Sequence, residues 1–76
     1  MNKKINQMGI EKISLWYDKG SELFNSTRYH EAVECYDKII QLNPNSKLAW
    51  AYKGFLLSKL KQYDEAFKCY EKALKC

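Results

Sequence analysis

Residues 16–38 read WYDKGSELFNSTRYHEAVECYDK, and residues 50–72 read WAYKGFLLSKLKQYDEAFKCYEK. Laid over one another at a shift of 34, they agree at Trp16/Trp50, Lys19/Lys53, Gly20/Gly54 and Leu23/Leu57. They agree again at Tyr29/Tyr63, Glu31/Glu65, Ala32/Ala66, Cys35/Cys69, Tyr36/Tyr70 and Lys38/Lys72. Ten identities among the thirty positions that align, a Trp and a Cys among them, are far beyond chance. A fixed period of this length marks supersecondary units stacked on one another. The chain accordingly divides into an N-terminal extension (1–12), one full unit (13–46) and a second unit (47–76) lacking its last four residues.

Each unit reads as two helices. Leu48, Tyr52, Phe55, Leu56 and Lys59 follow the i, i+4, i+7, i+8, i+11 spacing of an amphipathic helix, and Ala66, Tyr70, Ala73 and Leu74 repeat it. Turns are expected near Thr27, Asn45 and Lys61. Pro44 cannot continue a helix and disfavours helix at Asn43, while Ser46 is placed to cap the helix that follows. Gly20 with Ala32, and Gly54 with Ala66, are small where two helices of a unit approach closely. Trp16 and Tyr36, like Trp50 and Tyr70, supply the bulk between them. The expected fold class is all-α, a tandem of helix-turn-helix repeats.

Composition sets the outer bounds. Seventy-six residues, 46% hydrophobic and 14% aromatic, suffice for one thin-cored domain and are too apolar for disorder. No apolar run approaches the ~18 residues of a membrane span, and polar residues interrupt Ile5–Ile13 where a signal peptide needs an apolar core. Cys35, Cys69 and Cys76 are odd in number and form no CxxC pair, which favours a reducing, cytoplasmic setting over a disulfide scaffold or zinc site. The net charge of +4 divides into +2 over residues 1–12, −2 over 13–46 and +4 over 47–76. That dipolar distribution argues against a nucleic-acid-binding face.

Catalytic and metal constellations are not expected. His30 opens a helix among polar residues without a nucleophile nearby, and Asp18/Glu22 and Glu31/Glu34 read as solvated helix faces. No Gly-rich phosphate loop occurs, and no cofactor is expected.

Trp16, Gly20, Leu23, Ala32, Tyr36 and Pro44, then Trp50, Gly54, Leu57, Ala66 and Tyr70, give the chain its resemblance to the tetratricopeptide repeat family. It covers everything but residues 1–12. The resemblance implies an α-solenoid fragment whose first helices line an inner groove, and a non-enzymatic protein that binds a peptide or partner helix there. By that resemblance the groove positions on the first unit are Ser14, Tyr17, Ser21, Phe24 and Asn25. Those on the second are Leu48, Ala51, Phe55, Ser58 and Lys59. The family's chaperone-binding members grip a C-terminal carboxylate with Lys and Asn. The slots here hold Tyr17, Ser21 and Tyr52, so that clamp is not expected. Lys19 and Lys53 stand where the family carries Leu, implying packed stems with snorkelling ammonium groups. Thr27 and Lys61 stand at a turn often held by glycine, and a positive φ there strains Thr27 more.

The alternative to a groove-binding module is a self-assembling repeat. Phe67, Tyr70 and Leu74 share one side of the final helix, where the chain ends before a further unit could cover them. A homo-oligomer is expected through these residues, with a closed two-fold dimer favoured over head-to-tail stacking.

Overall fold

The structure, a computed structural model, describes the backbone of residues 2–76 and the side chains from Lys12 onward. Four helices follow in order: α1 (Asn2–Asn25), α2 (Tyr29–Leu42), α3 (Lys47–Lys59) and α4 (Tyr63–Lys75). Each packs on the next, α1 on α2, α2 on α3 and α3 on α4. The chain is thus all-α, two helix-turn-helix units in register, with no strand among the described residues. Residues 2–12 prolong α1 upstream of the first unit: nothing from Asn2 to Asn25 is a proline, and Gly9 alone does not end a helix.

Both intra-unit turns are built alike. Arg28 N–H donates to the Leu23 carbonyl at 2.8 Å and Thr27 N–H to that of Phe24 at 3.0 Å. One period later Gln62 donates to Leu57 at 2.8 Å and Lys61 to Ser58 at 3.0 Å. This paired 6→1 and 5→2 pattern is a Schellman cap, whose C′ residue must be left-handed. Thr27 and Lys61 take that conformation, with φ of 60° and 64°. Neither is glycine, so each turn holds a local strain that its two capping bonds offset.

The turn between units is fastened differently. Asn45 N–H donates to Asn43 Oδ1 at 3.3 Å, and Trp50 Nε1–H reaches back to the Pro44 carbonyl at 2.8 Å. Ser46 Oγ accepts from Ala49 N–H at 3.2 Å, the cap expected of it. The same hydroxyl is hydrogen-bonded to Tyr17 Oη at 3.2 Å, so α1 is tied to the start of α3.

The core is continuous across the units. Leu23 of α1, Ala32, Cys35, Tyr36 and Ile39 of α2, and Ala49 and Leu56 of α3 form one buried cluster. Ile39 and Leu56 are sealed from solvent and each contributes roughly 1.5–3 kcal/mol by burial. Leu57, Ala66 and Cys69 form a smaller cluster with Trp50 and Val33 packed against it. Lys53 was expected to send its ammonium to water and instead engages neighbouring side chains. Its ammonium lies 5.6 Å from the centre of the Trp50 ring, and it meets Asp37 Oδ1 of the preceding unit at 2.6 Å.

Candidate protein-binding groove

α1 and α3 lie on the same side of α2, and the angle between them is filled by aromatic rings. Tyr36 of α2 is the floor. Its ring stacks on Tyr52 at 5.3 Å and 26°, and Tyr17 stands edge-on to both, at 5.8 and 6.4 Å. Farther along, Phe24 of α1 faces Phe55 of α3 at 5.5 Å and meets Tyr29 edge-on at 5.8 Å. The two clusters leave a hollow of about 210 Å³ lined by Ser21, Phe24, Asn25, Tyr36, Tyr52, Phe55 and Leu56. A shallower hollow of about 440 Å³ lies beyond it, lined by Leu48, Ala51, Tyr52, Phe55 and Tyr70. Tyr52 and Phe55 form the wall between them and are 44% and 42% exposed.

The groove positions inferred from sequence fall into two sets. Ser21, Phe24 and Asn25 line the first hollow, Leu48 and Ala51 the second, and Phe55 both. The other four do different work. Tyr17 is half-buried between Tyr36, Tyr52 and Ser46 and acts as a strut. Ser58 Oγ donates to the Gly54 carbonyl within its own helix at 3.1 Å. Lys59 places its ammonium 5.3 Å from the Phe55 ring centre, adding a cation beside the wall. Ser14 is exposed and lines neither hollow. Tyr36, Tyr52 and Leu56 were missing from the sequence-derived groove. The helical spacing of Tyr52 and Leu56 marked them as apolar-face residues without saying that one edge of that face opens into the hollow.

Burial pushes the Tyr36 phenol above its usual range, with the nearby Ser21 side chain opposing the rise, so it is neutral at physiological pH. Burial also raises the thiols of Cys35 and Cys69, against the lowering pull of Lys19 and Lys53 respectively. Both are inert fillers, and all three cysteines are free. His30 is exposed, and among the described residues no three His, Cys, Asp or Glu side chains gather as a metal site would require. No described helix is long and apolar enough to cross a membrane.

On α4, Phe67, Tyr70 and Leu74 lie open to solvent on one side of the helix, and Tyr70 also reaches the second hollow.

A family model described as tetratricopeptide repeat matches residues 13–46, and another of the same description matches 35–68. The first match covers the unit made by α1 and α2. The second begins inside α2, crosses α3 and ends within α4, reading the stack in the alternate phase. No curated protein matches the chain. Two family matches spanning residues 13–68, over helices paired and turned in the same way at a 34-residue interval, establish that this chain belongs to the tetratricopeptide repeat family.

Proposed function

We propose that the chain is a non-enzymatic interaction module that holds a peptide or a partner helix against the α1/α3 face. Tetratricopeptide repeats are generally protein–protein interaction modules. The observation that carries the reading is the Phe24–Phe55 pair, two rings in contact at 5.5 Å across the groove, with Phe55 still 42% exposed. A buried core has no need of a half-exposed phenylalanine, whereas an interface uses such rings as anchors worth ~2 kcal/mol or more. Asn25, Ser21 and Lys59 supply donors at the rim for main-chain carbonyls or an acidic group on the ligand. The units are taken as 13–46 and 47–76, with 1–12 as the extension, in a cytoplasmic protein whose free thiols suit a reducing compartment. The test is a peptide selected by display against the chain: Phe55→Ala should weaken it at least tenfold while helicity is retained.

A second reading, self-association, is favoured by a separate observation. Phe67 and Leu74 on α4 are 65% and 81% exposed and lie on one side of the helix, so a second surface could cover them together.

A further inference from the structure

One side of α4, adjoining the second hollow through Tyr70, carries Tyr63, Phe67, Tyr70 and Leu74, which are 64%, 65%, 37% and 81% exposed. Their 4–3–4 spacing is that of an a/d seam, the stripe by which one helix packs along another. The stripe is symmetric about the point between Lys68 and Cys69. When two copies of α4 run antiparallel, Tyr63 of one lies across from Leu74 of the other, and Phe67 across from Tyr70. Charge follows the same symmetry. Asp64 and Glu65 sit in the first turn and Lys72 and Lys75 in the last, so each acidic end meets a basic one and the two helix dipoles oppose. We propose that the chain forms a two-fold dimer through an antiparallel α4–α4 seam, a second copy of this chain being the occupant of that face. The proposal rests on the self-association reading and goes beyond it in naming the surface and its symmetry.

The other arrangement of two copies, α1 of one stacked head-to-tail on α4 of the next, fails on named residues. Within the chain, α3 covers α2 through Ala49 and Leu56, which are 0% and 1% exposed in the cluster shared with Tyr36 and Ile39. One period earlier α1 carries Leu15 and Glu22 at those positions. Stacking would set Glu22 where a leucine is sealed from water, while Leu15 would meet Ala73, the smaller counterpart of Ile39. A buried charge without a partner is strongly unfavourable.

Fully covered, the four seam side chains remove on the order of 500 Å² per copy, or about 1,000 Å² in all, at the lower edge of stable interfaces. The dimer is therefore concentration-dependent. Sedimentation equilibrium of the full chain from micromolar to millimolar concentration tests it. The mass should rise and level at two copies. Phe67→Glu and, separately, Leu74→Glu should return it to one copy with circular dichroism unchanged, and Leu15→Glu should leave the dimer intact. A single-copy mass at millimolar concentration overturns self-association and the seam together. A mass that climbs past two copies overturns the seam alone. So does dimer loss in Leu15→Glu to the extent seen in Phe67→Glu, or dimers that survive both α4 variants.

Discussion

The ring of Tyr36 occupies the space that a side chain at Gly20 would need: a Cβ built there lies 2.9 Å from Tyr36 Cε2 and 3.0 Å from Cζ. The relation recurs one period on, where a Cβ at Gly54 lies 2.9 Å from Tyr70 Cε1 and 3.2 Å from the Ala66 carbonyl oxygen. Tyr36 is 3% exposed and is held between the rings of Tyr17 and Tyr52. Gly20→Val should therefore cost about 1–3 kcal/mol in urea denaturation. Unchanged stability would mean that α1 and α2 do not approach there.

The two left-handed turn residues give a prediction of opposite sign. Thr27 and Lys61 both close Schellman caps at positive φ, a conformation that costs a β-branched residue most. Thr27→Gly should stabilise the chain by ~0.5–1 kcal/mol, the relief of strain exceeding the entropy that glycine adds to the unfolded state. Lys61→Gly should gain less. Thermal melts of the two variants decide it, and a loss at Thr27 would contradict the cap.

Tyr17 separates packing from recognition. Its hydroxyl bonds Ser46 at 3.2 Å, and its ring braces Tyr36 and Tyr52. Tyr17→Phe should cost about 0.5–1.5 kcal/mol, the worth of one hydrogen bond, and Tyr17→Ala several times that. Phe55→Ala, by contrast, should leave the melting temperature nearly unchanged.

Alkaline pH should destabilise the fold. Cys35, Cys69 and Tyr36 have folded-state pKa values raised, chiefly by burial, above the ordinary 9.0 and 10.0. The unfolded chain therefore loses these protons first, and above pH about 9 it binds fewer than the native state, so stability falls as pH rises. The contribution is fully present below the ordinary values and is lost as pH climbs through the raised ones. Replacing both buried cysteines by alanine should flatten the early part of this decline, read from urea midpoints across the pH range.

Much of this was legible in the residues. The Trp16/Trp50 period pointed to repeated helix pairs, Pro44 and Ser46 to the break between α2 and α3, and Thr27 and Lys61 to turns that the structure shows to be left-handed. The groove was less legible. Helical periodicity says which residues share a face, but not how far neighbouring helices rotate. Tyr36 and Tyr52 therefore read as packing residues when one edge of each opens into the hollow. The extent of α1 was missed for another reason: Asn2–Lys12 offers only Ile5 and Met8 in phase with Trp16 and Leu23, too sparse a stripe to mark a helix, yet it continues one already nucleated downstream.

The claim that matters most is that the α1/α3 face holds a protein ligand. Two-dimensional amide NMR of the labelled chain, titrated with a display-selected peptide, tests it most directly. Shifts should concentrate at Ser21, Phe24, Asn25, Tyr52 and Phe55 and be absent in the Phe55→Ala variant at the same peptide concentration. Shifts confined to the opposite side, around Glu34 and Lys38, with Phe55→Ala binding as well as the native chain, would contradict it.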